Sequence, residues 1–292
     1  MRAGSAMRGF ERLLVPLDLA SFSSHVFDVA VSLARRSGGG LEAFHVVAPE
    51  QALLQSRAHQ LEALQRCVEP AQTQGIPVDT AVAEGDVAET IVAEAGNWRA
   101  DLVVIGARAY RTTSGWHLGS VTQRVIRESP CPVLAVPRPA EGFQAGSALP
   151  FEKILCPVDF SEPSRRALDY ALDLARGTSA RLTLLHVLEW FPEEAGDAPL
   201  YIPEYHLDLG EDARQRLRGV LPEEMLLRGG HEELVATGVP YRAILEVWRQ
   251  RGADVIVLGI HGRRALDRVL SGATAAHVLR EASCPVLAVR PH

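Results

Sequence analysis

The 292-residue chain has only four cysteines, Cys67, Cys131, Cys156 and Cys284, and no C-x-x-C pair. That spacing excludes the common zinc and dithiol motifs. Four thiols in a chain this long do not make a disulfide scaffold, and they point to a reducing, cytoplasmic setting. The ten histidines show no H-x3-H or H-E-x-x-H spacing. No apolar run approaches the length needed to span a bilayer. The N-terminal MRAGSAMRGFERLL has Arg2, Arg8, Glu11 and Arg12 but no apolar centre, unlike a secretory signal. The net charge is −6 and no Lys/Arg-rich tract offsets it, which argues against nucleic-acid and membrane partners. Motifs for nucleotide chemistry are missing too: there is no G-x-x-x-x-G-K-S/T, no G-x-S-x-G at a strand end and no H-x-G-H.

What is present is a repeat. LLVPLDLASFSSHVFDVAVSLARR aligns with ILCPVDFSEPSRRALDYALDLARG at an offset of 141, pairing Pro16 with Pro157, Asp18 with Asp159 and Asp28 with Asp169. His45-Val46 and His186-Val187 keep that offset. Further on, ADLVVIGARA aligns with ADVIVLGIHG, and SPCPVLAVP with ASCPVLAVRP, at an offset of 153. The second copy therefore carries about 12 more residues, between Val187 and Gly238. The Pro/Gly/acid-rich stretch Trp190–Gly210 is the expected place, as a surface loop. Its aromatics Trp190, Phe191, Tyr201 and Tyr205 either cover the second site, meet a partner or simply pack. Arg138–Pro150 has linker composition. It divides the chain into domains 1–146 and 147–292.

Each copy alternates strands and helices. In the first copy, RLLVPL is a buried strand. Ser21 or Ser23 caps a helix to about Ser37, with Val26, Ala30, Leu33 and Ala34 on one face. LEAFHVV follows as a strand, then a helix over roughly Gln51–Gln72. PVDTAVAEG, DLVVIG and PVLAV complete the strands, with helices at Ala88–Asn97 and Ser120–Glu128. The expectation is an α/β fold of two tandem doubly wound five-stranded parallel-sheet domains. PVLAVP and PVLAVR read as apolar edge strands that pair with each other inside the chain, about a pseudo-twofold axis.

Ligands of such sheets bind at strand carboxyl ends, where the strand order reverses. Asp18 and Asp159 end the first strand of each copy, Val46 and Val187 the second. Glycine loops begin at Gly106 and Gly259, and helix N-termini suited to an anion follow at Ser120 and Ala273. Copy one reads Gly106-Ala-Arg-Ala109, nine residues, then Gly119-Ser120-Val-Thr122. Copy two reads Gly259-Ile-His-Gly262, nine residues, then Gly272-Ala273-Thr-Ala275. With the aspartate after strand one and the Cys-Pro-Val-Leu-Ala-Val ending, both halves resemble the universal stress protein family, whose ATP-binding members carry Gly-x2-Gly-x9-Gly-Ser/Thr.

That resemblance implies the adenine-nucleotide α-hydrolase-like fold and a bound ATP, ADP or AMP, with or without magnesium. By position it places Asp18 and Asp159 at the adenosine and Val46 and Val187 at the adenine. It places Gly106, Gly119, Ser120 and Thr122 at the phosphates of copy one, and Gly259, Gly262 and Gly272 at those of copy two. Each copy departs from the pattern: Ala109 replaces the second glycine, and Ala273 the hydroxyl. A left-handed alanine costs roughly 1–2 kcal/mol, and a lost phosphate hydrogen bond about 1.5–3 kcal/mol. The balance leans to copy one.

Plainer readings stand beside these. Asp18 and Asp159 have helix capping as their plainer alternative, and the glycines have turns. His45 and His186 read as core histidines rather than ligands, and Cys131 and Cys284 as packing residues. Trp116 and His117 lie in the copy-one loop, where covering the phosphates is one reading without support in the sequence; Arg108, Tyr110 and Arg111 touch phosphate or face water. Three functions follow: a nucleotide-binding stress or signalling module without a dedicated reaction, a nucleotide-free interaction protein, or a slow ATPase. An unidentified protein partner fits the first two, and further homodimerisation is left open.

Overall fold

The computed structural model describes residues 10–19, 23–52, 56–107, 109–112, 115–138, 151–189, 203–260 and 274–291. In copy one the chain runs β1 (Arg12–Pro16), α1 (Ser23–Ser37), β2 (Gly40–Val47), α2 (Pro49–Ala52), α3 (Arg57–Thr73), β3 (Val78–Glu84), α4 (Val87–Asn97) and β4 (Leu102–Ala107). A hairpin of β5 (Ala109–Thr112) and β6 (Gly115–Leu118) follows, then α5 (Ser120–Glu128) and β7 (Val133–Pro137). Copy two repeats the plan: β8 (Lys153–Pro157), α6 (Glu162–Thr178), β9 (Arg181–Glu189), α7 (Pro203–Gly219), α8 (Glu223–Arg228), β10 (His231–Gly238), α9 (Pro240–Arg251), β11 (Val255–Gly259), α10 (Thr274–Glu281) and β12 (Val286–Val289).

Ten strands form one sheet in the order β10-β9-β8-β11-β12-β7-β4-β1-β2-β3. Within each copy every pairing of this sheet is parallel. The expected internal joint is present: β12 pairs antiparallel with β7, setting Leu287 opposite Leu134 and Ala288 opposite Val133. Side chains alternate across the sheet, so each face carries its own core. One core lies against α1, α3, α6 and α7. The other lies against α4, α5, α9 and α10. Both cores include residues from β7 and β12, so neither stops at the boundary between copies.

The repeat also fixes polar joints at equivalent places. Asp101 Oδ2 accepts from the backbone N–H groups of Glu11 and Arg12 (3.1 and 3.0 Å). Asp254 Oδ2 does the same for Glu152 and Lys153 (2.7 and 2.9 Å). These aspartates of the two "AD" pairs thus satisfy the backbone where the first strand of each copy enters the sheet.

Three expectations change. The helix expected over Gln51–Gln72 is two helices, α2 and α3, the second capped by Ser56, whose hydroxyl accepts from His59 N–H. The supposed loop Trp190–Gly210 already contains the start of α7. Pro203 stands at its first position, where a missing N–H costs nothing, and Leu209, Ala213 and Leu217 follow at helical spacing, the last two buried. The copy-one loop between Gly106 and Gly119 contains an antiparallel hairpin, whose β6 lies against α10 of copy two. The boundary at 146/147, Ser21, and Trp190 to Tyr201 lie outside the described residues.

One buried acid stands out. Glu42 in β2 is 6% exposed, and its Oε2 has no hydrogen-bond partner. Burial, with Glu94 and Asp79 nearby, pushes its carboxyl up to about 7 against the pull of Arg12. A carboxyl raised in the folded state adds stability at low pH and loses it as pH rises through the folded value. Glu42→Gln should therefore match the native protein near pH 4 and exceed it by roughly 3 kcal/mol at pH 8, from about 1.4 kcal/mol per unit. Urea unfolding at the two pH values checks this; equal stability at pH 8 refutes it.

Candidate functional site

In copy one the strand order reverses between β1 and β4, and the first turn of the site forms there. β1 ends at Pro16, and the Leu17 N–H donates to Phe44 O at 2.8 Å, tying the outgoing chain to β2. Asp18 follows, exposed, and then Leu19 in the left-handed region (φ 58°). Copy two builds the same turn: Val158 N–H donates to Leu185 O at 2.8 Å, and Phe160 after Asp159 has φ 65°. A left-handed non-glycine costs roughly 1–2 kcal/mol. Such residues cluster where the backbone must present a ligand site.

The opposite wall comes from α4 and α5. Gly85 precedes α4 with φ +147°, and its equivalent Gly238 precedes α9 with φ +132°. Only glycine adopts that backbone comfortably. Asp86 caps α4, accepting from Glu89 N–H at 2.9 Å. Arg124 of α5 reaches Asp86 at 2.7 Å and Glu89 at 3.5 Å, linking the two helices at the surface. At the start of α5, Gly119 occupies the cap position and offers no side-chain acceptor. The first-turn N–H groups of a nine-residue helix therefore face the cleft with their partial positive charge uncompensated by a cap.

Between these walls lies an open cleft of about 500 Å³. Asp18, Val46, Gly106, Gly119, Ser120 and Thr122, all six residues expected in copy one, line it. Spacing alone did not reveal the rest of the wall. Leu17, Phe44, Val87, Ile91 and Ile105 supply a largely apolar surface. Gly85 was legible, since the 153-residue offset pairs it with Gly238.

The geometry assigns some residues local work. Thr122 Oγ1 donates to Gly106 O at 2.9 Å, and the side chain is buried. Its hydroxyl proton thus ties α5 to the end of β4 rather than pointing at a phosphate. His45 Nδ1 donates to Leu17 O at 2.7 Å, and His186 Nδ1 to Val158 O at 2.7 Å, so both are satisfied structural histidines. Burial pushes the Cys131 thiol up to about 11 and raises those of Cys156 and Cys284, as suits packing residues.

Copy two keeps the scaffold with different fittings. Asp159 Oδ1 accepts from the N–H and hydroxyl of Ser161 (2.9 and 2.5 Å), and Ser161 caps α6. Asp159 therefore braces the cap. Phe160 lies against the His186 ring at 4.8 Å, with the Arg216 guanidinium of α7 over it at 4.0 Å. Val187 is half-buried at the end of β9. Gly259 ends β11 beneath the first turn of α6. A Cβ there would stand 2.5 Å from Pro163 C and O and 2.6 Å from Ser164 N. This glycine is needed for close helix–strand approach whatever else it does. Where copy one has the Arg124 clamp, copy two stacks Tyr241 on His277 at 4.0 Å. Gly262, Gly272 and Ala273 lie outside the described residues. Among the described residues, no group of three or more His, Cys, Asp or Glu could hold a metal ion, and no helix is long and apolar enough to cross a membrane.

Comparison with known proteins settles the lineage. The model of the universal stress protein family matches twice, over residues 9–137 and 150–290. The chain belongs to the universal stress protein family. A universal stress protein of Mycolicibacterium smegmatis is 28% identical over 243 residues, covering 80% of this chain and 76% of that one. A shorter one from Methanocaldococcus jannaschii is 31% identical over 144 residues, 48% of this chain and 82% of its own length. Among solved structures, a putative universal stress protein of Pseudomonas aeruginosa superposes with a TM-score of 0.71 at 20% identity, covering 98% of this chain and 95% of that one. At that identity the likeness concerns the fold, and it extends to both universal stress protein copies.

Two substitutions test the local assignments. Thr122→Val should cost about 1 kcal/mol through the lost hydrogen bond to Gly106. Gly259→Ala, forced against backbone, should cost about 3 kcal/mol. Denaturant unfolding of each variant decides; a neutral Gly259→Ala would show that α6 does not press on β11.

Proposed function

We propose that the copy-one cleft binds an adenine nucleotide (ATP, ADP or AMP) and that the protein is a nucleotide-responsive stress or signalling module without a dedicated reaction. The observation that carries this reading is the uncapped N-terminus of α5 at one end of a cleft whose remaining wall is mainly apolar. An anion is favoured at such a helix end, and a flat aromatic base suits the surface of Phe44, Val46, Ile91 and Ile105. The volume, about 500 Å³, lies within the ordinary range for small-ligand sites. Ser120, at the first position of α5, adds a hydroxyl that copy two lacks at Ala273. Asp18, at the mouth, is the carboxylate of the lining, suited to the ribose or to a magnesium carried in with the phosphates.

A binding role is favoured over hydrolysis by the lining itself. His45 has its Nδ1 proton committed to Leu17 O, which leaves that nitrogen unable to act as a base. Copy one is the preferred site, because Gly119, Ser120 and the Thr122–Gly106 tie all belong to it.

Mass spectrometry of ligand released from the denatured protein should detect an adenine nucleotide, and millimolar ATP should raise the melting temperature. Ser120→Ala should weaken ATP binding at least about tenfold, from a charge-assisted bond worth about 1.5–3 kcal/mol. Protein that releases no nucleotide and shows no melting shift refutes the proposal.

A further inference from the structure

α4 connects the cleft to the buried acid of β2. Val87 and Ile91, in its first turns, line the cleft. Glu94, three residues on, acts on Glu42, and Trp98 at its C-terminal cap lies under the Arg12 guanidinium at 4.6 Å. β2 makes the same connection beneath the helix. Glu42, Phe44 and Val46 alternate onto one face, and the last two line the cleft.

The charged groups acting on Glu42 come from each element around it: Arg12 from β1, Asp79 from β3 and Glu94 from α4. Two carboxyls thus repel Glu42 and one guanidinium attracts it, at a strand position that is 6% exposed. The register sets Glu42 directly beside Asp79 on β3. Its Oε2 has no hydrogen-bond partner. An ionised carboxylate without a partner is poorly tolerated there, and a neutral acid much less so. Of the groups that repel it, Asp79 is held by the β2–β3 ladder, whereas Glu94 rides on a helix held to the sheet by side-chain packing. The helix is the element that can yield. Its N-terminal end is joined to α5 through exposed ion pairs of Arg124, which are weak constraints.

We propose that Glu42 is a proton-operated latch on the nucleotide cleft: with the proton on, α4 seats on the sheet and completes the cleft wall, and with the proton off, repulsion from Glu94 and Asp79 unseats it and weakens binding. The latch rests on the adenylate reading above and adds its regulation. Apparent affinity scales with the fraction of protein in the competent state, so a midpoint near neutrality makes binding up to about tenfold weaker at pH 8 than at pH 6.

Two measurements on the full chain test it. Amide exchange of residues 87–97 in nucleotide-free protein, corrected for intrinsic rates, should show less protection at pH 8 than at pH 6. Glu42→Gln should remove the difference, and Glu94→Gln should shrink it. ATP titrations should then show the native protein losing affinity between pH 6 and pH 8 beyond whatever pH dependence Glu42→Gln retains. Equal α4 protection at both pH values, or a native pH profile in Glu42→Gln, overturns the latch. If α4 responds to pH through Glu42 but ATP binds at neither pH, the latch stands as a conformational device and the adenylate reading falls.

Discussion

The antiparallel pairing of β7 with β12 is the interaction on which the rest of the molecule depends. Each copy, taken alone, would end its sheet in an exposed apolar strand, VLAVP or VLAV. Such an edge is a template for uncontrolled pairing. Joining the two edges removes both. It sets Leu134 against Leu287 and lets the core on each face of the sheet run through both copies. Smaller contacts follow the same seam: Phe10 meets Tyr170 edge-on at 6.0 Å, and Arg290 donates to Ser129 O at 3.0 Å. Loss of the pairing would expose apolar surface in both halves, so their stabilities are coupled.

On that common scaffold the copies keep what the backbone requires and diverge where side chains face solvent or ligand. Asp101 and Asp254 make the same backbone bonds, as do His45 and His186. Leu19 and Phe160 share the left-handed turn, and Gly85 and Gly238 the strand–helix junction. At the junction of the two outer helices, ion pairs of Arg124 in copy one give way to a Tyr241–His277 stack in copy two. Thr122, which ties α5 to β4, has Ala275 as its counterpart.

Most of the fold was legible because buried parallel strands and amphipathic helices repeat with fixed periods, and because the chain states its plan twice. The six residues expected in copy one came from strand ends and a helix start read together with the resemblance to the universal stress protein family, and all six line one cleft. Less legible were features fixed by local backbone competition. The hairpin within the copy-one glycine loop has no apolar alternation strong enough to announce it. The start of α7 was hidden because Pro203 and Gly210 read as loop residues, although Ala213 and Leu217 continue a helical period. The work of single groups was not legible either. The glycine at 259 fits a phosphate loop on paper, and the structure shows a helix backbone where its side chain would be.

By itself, the amino-acid order determined the repeat, the strand–helix alternation, the parallel sheets and the edge at which a ligand would sit, because each follows from local periodicity and chain connectivity. Tertiary structure decided what neighbours decide. It committed the Thr122 hydroxyl to Gly106, made Asp159 a brace for a helix cap, and buried Glu42 between Asp79 and Glu94 at the foot of the helix that walls the cleft. Those outcomes depend on distances between residues far apart in the chain, and the protonation of a buried acid depends on all of its neighbours at once.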